Sequence, residues 1–202
     1  MHGLRFLAVM LGGVLASAGV DAQTPVALDT KGMMVCSVQG YAIDRDPKGS
    51  NLRSAPRADA PIIGHVPPLY HVGDEFWTGT ALKIVGSKDG WLLVHDDAPN
   101  PQMTFDAAHN SDRRGWLSAK LVGTSLRFPP LRSAPRRDAP LVARLAGDGW
   151  GPDSLTGTTV HSCRGDYIEV TALPIGGKRV RGWSYKGCSQ QLTTCDSGGM
   201  TE

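Results

Sequence analysis

Neither sign of charge dominates this chain. Twenty-one Lys and Arg offset nineteen Asp and Glu, leaving a formal charge of +2. That balance gives no electrostatic argument for nucleic acid or an anionic membrane as partner. Apolar residues show no sustained helical period. Instead, 25 glycines and 14 prolines punctuate short apolar runs, the pattern of strands and turns. No apolar run, the one near the amino terminus included, is long enough to span a bilayer. Cysteine is scarce: Cys36, Cys163, Cys188 and Cys195 contain no C-x-x-C spacing. Zinc therefore has little support, whereas four cysteines in an exported chain favour disulfides.

Catalytic signatures are also missing. The histidines (His2, His65, His71, His95, His109 and His161) form neither H-E-x-x-H nor an H-x-H pair. There is no G-x-S-x-G, no P-loop and no dinucleotide fingerprint. Nothing calls for a cofactor, and no catalytic residue or metal ligand is assigned. His95-Asp96-Asp97 with His109 is the most metal-like grouping, and it reads as a solvated loop. Asp44 and Asp46 read as turn residues, because a calcium loop needs more oxygen ligands than this segment offers.

What is present begins with an export signal over residues 1–22. Arg5 precedes the apolar run Phe6 to Ala16, and Val20-Asp21-Ala22 offers a small-residue cleavage site. No cysteine near that site suggests a lipid anchor.

The rest of the chain is built on a stretch that occurs twice. Leu52-Arg53-Ser54-Ala55-Pro56-Arg57-Ala58-Asp59-Ala60-Pro61 returns as Leu131-Arg132-Ser133-Ala134-Pro135-Arg136-Arg137-Asp138-Ala139-Pro140, with nine of ten positions identical. Two branched apolar residues follow each copy. Such self-similarity marks two copies of one unit. Within each copy, a short extended segment meets a proline that cannot continue a ladder, then Asp-Ala-Pro turn chemistry, then a new strand. Asp59 and Asp138 belong to that turn rather than to a catalytic pair, and Arg53 and Arg132 read as strand residues with solvated or ion-paired heads.

Leu-Arg-Ser-x-Pro, a polar turn and Ile62-Ile63-Gly64 together resemble the bacterial SH3 (SH3b) family. So do the Gly-Trp pairs downstream: Gly90-Trp91-Leu92-Leu93-Val94, then Gly115-Trp116-Leu117 running to Leu121. The second copy has Tyr167 where Trp is usual, and Gly182-Trp183 fits the closing strand. The resemblance implies an all-β protein of two consecutive SH3-like small barrels, over residues 33–123 and 124–195, with 196–202 as a tail.

The cysteines can be paired provisionally from strand register. A hairpin turn centred near Gly176 sets Cys163 opposite Ser189, next to Cys188. The expected bonds are then Cys163–Cys188 and Cys36–Cys195, one of three pairings that four cysteines allow.

Two classes of function remain. The family resemblance implies a non-catalytic envelope module that binds a cell-wall peptide, a glycan or a protein segment. Family members often accompany cysteine peptidases, but the two repeats leave no room for such a domain. The other class is an inhibitor or regulator of an envelope enzyme, or an enzyme whose site no motif reveals. In SH3-like barrels, as the resemblance implies, recognition falls on connections between strands. Pro67 to Trp77 carries Tyr70, His71, Phe76 and Trp77, the candidate binding residues, and the long polar insertion Asp96 to Arg113 lies in the same unit. Trp150 sits in a second glycine-rich connection. The bland alternative is that Tyr70, Phe76 and Trp77 close the end of a barrel.

Overall fold

The computed structural model describes residues 26–73, 76–96, 102–106, 110–145, 155–174, 177–191 and 195. The expected signal at 1–22, Trp150 and the tail at 196–202 lie outside them.

In chain order the strands are β1 (Met34–Ala42), β2 (Ser50–Arg53), β3 (Ile62–Val66), β4 (Tyr70–Val72), β5 (Phe76–Thr78), β6 (Ala81–Lys88), β7 (Trp91–His95), β8 (Thr104–Phe105) and β9 (Arg114–Ser118). They continue as β10 (Val122–Gly123), β11 (Ser125–Leu126), β12 (Pro130–Arg132), β13 (Leu141–Arg144), β14 (Leu155–Arg164), β15 (Tyr167–Pro174), β16 (Val180–Tyr185) and β17 (Gly187–Cys188). The protein is all-β: among the described residues there is no α-helix, and a 3-10 turn, Ala119–Leu121, follows β9. No described helix is long and apolar enough to cross a membrane.

An eight-stranded sheet has the order β10-β1-β6-β7-β9-β2-β3-β8, and a five-stranded sheet the order β13-β12-β16-β15-β14. β11 pairs with β17, and β4 with β5. The sheets are open; none closes into a barrel among the described residues.

The duplicated sequence folds into duplicated geometry. The order β3-β2-β9-β7-β6 inside the larger sheet is repeated as β13-β12-β16-β15-β14. Arg53 pairs with Trp116, and Arg132 with Trp183. Both copies have a bulge at the same step, after Leu52 and after Leu131. The Ser54 N–H donates to the Pro61 carbonyl at 3.0 Å and the Ser133 N–H to the Pro140 carbonyl at 3.0 Å. Each turn is also tied to its strand by an arginine. The Arg53 guanidinium donates to the Ala60 carbonyl at 2.7 Å, and that of Arg132 to the Ala139 carbonyl at 3.1 Å. These heads are therefore turn braces rather than solvated ends. Arg57–Asp59 and Arg136–Asp138, each at 2.7 Å, close the exposed side of the turns.

The glycine of each closing Gly-Trp pair, Gly115 and Gly182, has a steric reason. A Cβ on Gly115 would lie 2.7 Å from the Cβ of Leu52, and one on Gly182 would lie 3.0 Å from the Cβ of Leu131. Leu52 and Leu131 are fully buried, so each leucine packs directly on a bare backbone. Burial of such a side chain contributes about 1.5–3 kcal/mol.

One apolar core serves both halves. Val38, Leu52, Ile84, Leu92 and Leu117 from the first half cluster with Leu131, Val160, Ile168 and Val170 from the second. Trp116 is completely buried, and its indole N–H donates to the Asp29 carbonyl at 2.8 Å.

The disulfides correct the expected pairing. Cys36 is bonded to Cys163, with Cα atoms 5.7 Å apart, and Cys188 to Cys195, with Cα atoms 6.4 Å apart. The expected register itself holds between β15 and β16, where Ile168 faces Ser184 and Glu169 faces Trp183. The error concerned where Cys163 sits. The chain reverses at Gly165, whose φ is +56°, so Cys163 belongs to β14 and faces Ile168. That reversal brings β14 onto β1. The Ser37 N–H donates to the Gly165 carbonyl, and the Gly165 N–H to the Val35 carbonyl, each at 2.8 Å. Cys36 forms an isolated parallel bridge with Gly165 at the same place.

Non-reducing peptide mapping should therefore recover Cys36–Cys163 and Cys188–Cys195. The first spans 127 residues and the second 7. In the chain-entropy description, removing the first should cost about 5 kcal/mol and removing the second about 2 kcal/mol. Denaturant unfolding of paired Cys→Ala variants measures both, and equal losses would contradict this ranking.

Candidate functional site

The four aromatic side chains singled out in the 67–77 connection come together on one hairpin. Tyr70, His71 and Val72 of β4 face Thr78, Trp77 and Phe76 of β5, respectively. Alternation along a strand puts Tyr70, Val72 and Phe76 on one face, and His71 with Trp77 on the other. The His71 and Trp77 ring centroids are 3.8 Å apart. Gly73, with φ +63°, enters the turn in the left-handed region that glycine accepts readily.

This hairpin covers little of the core. Phe76 and Trp77 are 54% and 55% exposed, Val72 is 41% exposed and Tyr70 37%. The alternative that these aromatics close the end of a barrel does not describe their surroundings. An isolated two-stranded ribbon is marginal in water, so its ends must be held. The Leu69 N–H donates to the Asp44 carbonyl at 2.8 Å on one side. On the other, the Gln191 side-chain amide accepts from the Gly79 N–H at 2.6 Å and donates to the Gly79 carbonyl at 2.8 Å. A Cβ on Gly79 would run into the Ala42 carbonyl, so glycine lets the hairpin base lie against β1. Gln191 stands between Cys188 and Cys195, and the short disulfide loop thus carries the clamp.

The insertion at 96–113 is a cover rather than a second recognition loop in its described parts. β8 pairs with the outer edge of β3, placing Phe105 against Gly64. The Asp106 N–H donates to the Ile63 carbonyl at 3.1 Å, and the Asn110 side-chain amide to the same carbonyl at 3.3 Å. Asp96 is buried and ion-paired with Arg113, whose Nε lies 3.2 Å from the carboxylate. Of the metal-like grouping, Asp97 and His109 lie outside the described residues. The described His, Cys, Asp and Glu side chains form no group of three that could hold a metal. Asp44 and Asp46 bond the turn: the Asp44 carboxylate accepts from the Asp46 N–H at 3.0 Å and from the Ser50 hydroxyl at 2.6 Å.

Glu169, His161 and Asp112 are committed to structure. On the second sheet, partial burial pushes the Glu169 carboxyl up, but hydrogen bonds from Arg181 and Ser162 outweigh this and hold it below its usual range. Burial and the nearby Arg181 lower His161, whose Nε2 is 2.8 Å from the Thr171 hydroxyl. The Arg114 guanidinium, 2.5 Å from the Asp112 carboxylate, holds that carboxyl low. A depression of about 400 Å³ beside this pair is lined by Val85 and His95 as well. Another, of about 440 Å³ at the seam of the two halves, is lined by Lys83, Arg127 and Lys186 among others.

Sequence reasoning selected the aromatic segment but not its hairpin form or its clamp. The signal for the hairpin was present, since Tyr70-His71-Val72 and Phe76-Trp77-Thr78 flank a Gly73-Asp74 turn dipeptide. Gln191, distant in sequence from Gly79, carried no such signal. Compared with family models, with curated proteins and with solved structures, the chain has no significant match.

The clamp yields a direct test. Gln191→Ala should speed amide hydrogen exchange at Gly79 and in β4–β5, with a global stability loss of about 1 kcal/mol. Unchanged exchange at Gly79 would show that the hairpin base is held by other contacts.

Proposed function

We propose that this chain is an exported, non-catalytic binding module built from two SH3-like units, and that it takes a cell-wall peptide or glycan, or a segment of an envelope protein, on the β4–β5 hairpin. The observation that carries this reading is the exposure of Tyr70, Val72, Phe76 and Trp77 on one two-stranded ribbon. Aromatic side chains give large contact area at low conformational cost, and clustered apolar exposure marks an interaction surface. The ribbon is anchored at its base and open on both faces, so a ligand can contact Trp77 and His71 on one side or Phe76 and Tyr70 on the other. The first half holds the ligand; the second supplies the Gln191 clamp and shares the core.

Two further observations support the reading. The two disulfides fit an oxidising, exported compartment. The duplicated motif that resembles the SH3b family sits at the same place in both strand sets.

Capture of the mature protein by intact peptidoglycan, set beside capture from an envelope extract, separates the wall ligand from a protein ligand. Tyr70→Ala with Trp77→Ala should abolish whichever capture occurs while leaving the thermal midpoint nearly unchanged, because both side chains lie on the exposed ribbon. Full retention of capture, or loss only in step with unfolding, would overturn the assignment.

A further inference from the structure

The two copies differ at one edge. In the first half, the outer side of β3 is covered by β8 and by the hydrogen bonds from Asp106 and Asn110 to the Ile63 carbonyl. Ile63 is the bulge residue, outside the β2 ladder, and it is 1% exposed. Its counterpart Val142 is the bulge residue of β13 and is 47% exposed. β13 ends its sheet with no strand on its outer side among the described residues.

Two of the sequence differences between the copies put cations on β13 and in the turn that precedes it. Arg137 stands where the first copy has Ala58, and Arg144 where it has His65. Both arginines are exposed, and Leu141 and Val142 lie between them. An uncovered strand offers unpaired backbone groups for a further strand. Here it also offers an apolar pair bounded by two cations. The first half shows what such an edge accepts: an extended Thr104-Phe105-Asp106, one aromatic and one carboxylate, whose Asp106 N–H reaches the bulge carbonyl.

We propose that β13 is a docking edge for an extended peptide segment of another protein that carries both apolar and carboxylate side chains. Its backbone N–H donates to the Val142 carbonyl, as that of Asp106 does to Ile63. Its apolar side chains cover Val142 and Leu141, and its carboxylates meet Arg137 and Arg144. Ala143 replaces Gly64, where a Cβ would lie 2.7 Å from the Thr104 carbonyl. The segment therefore stands farther from the sheet at that residue than β8 does. A second copy of this chain fits poorly, because two β13 edges would bring their own arginines together, and like charges across a strand pair are unfavourable.

The test titrates isotopically labelled protein with a short blocked peptide alternating Val and Glu, beside one alternating Val and Lys. The Val/Glu peptide should shift the backbone amides of Leu141 to Arg144, with affinity falling as salt rises. The Val/Lys peptide, and the variant Arg137→Glu with Arg144→Glu, should each bind about tenfold more weakly or worse, with the thermal midpoint of the variant unchanged. The Tyr70→Ala, Trp77→Ala protein should bind the Val/Glu peptide normally, which separates this edge from the hairpin. Equal binding of both peptides, shifts confined to other strands, or loss of binding in the hairpin variant would overturn the proposal. So would sedimentation showing a dimer of the free chain that Arg144→Glu dissociates.

Discussion

The contact that the rest of the structure depends on is the seam between β1 and the β14–β15 reversal. Cys36 is bonded there to Cys163, and the Ser87 hydroxyl both donates to the Cys163 carbonyl and accepts from its N–H, at 2.9 and 3.0 Å. Gly165 adds two backbone hydrogen bonds to β1. A buried polar group is costly unless satisfied, and here each donor and acceptor finds its partner in the opposite half. A further joint lies at Thr124, whose hydroxyl donates to the Gln39 carbonyl at 2.9 Å and whose carbonyl accepts from the Thr158 hydroxyl. Between these joints the apolar side chains of both sheets merge into one core. The repeat thus produced two similar strand sets that no longer behave as beads on a string.

Divergence between the copies explains where function can reside. The shared parts are those that fold the unit: the leucine on its glycine, the arginine bracing its turn, and the bulge that bends the strand. The parts that differ among the described residues are additions and edges. The first copy carries a ribbon of exposed aromatics and a segment that seals β3. In the second, no described strand lies outside β13, and exposed arginines accompany it. Both surfaces stand on a frame made rigid by common packing.

The fold class was legible because its signals are local. Proline-bounded turns, Asp-Ala-Pro and short branched runs state strand and turn directly, and the matching of Leu52 to Leu131 announced two equivalent units. Gly176 even placed the β15–β16 register. The disulfides were not legible, because a reversal at Arg164-Gly165-Asp166 moved Cys163 onto a different strand, and only the tertiary seam says which cysteine lies opposite. The aromatic hairpin was half legible: its residues stood out by type, while their exposure depends on what the remaining chain covers. Gln191 and the open β13 edge belong to the relation between distant segments, which no short window of sequence contains.

The central claim is that two copies of one unit share a single core and seam, and so fold as one cooperative body. Scanning calorimetry of the disulfide-intact mature protein tests it most directly. A single transition whose calorimetric enthalpy equals its van't Hoff enthalpy is predicted, since a two-state body unfolds all at once. Two resolved transitions, or a calorimetric enthalpy near twice the van't Hoff value, would show that the halves unfold independently and would contradict it.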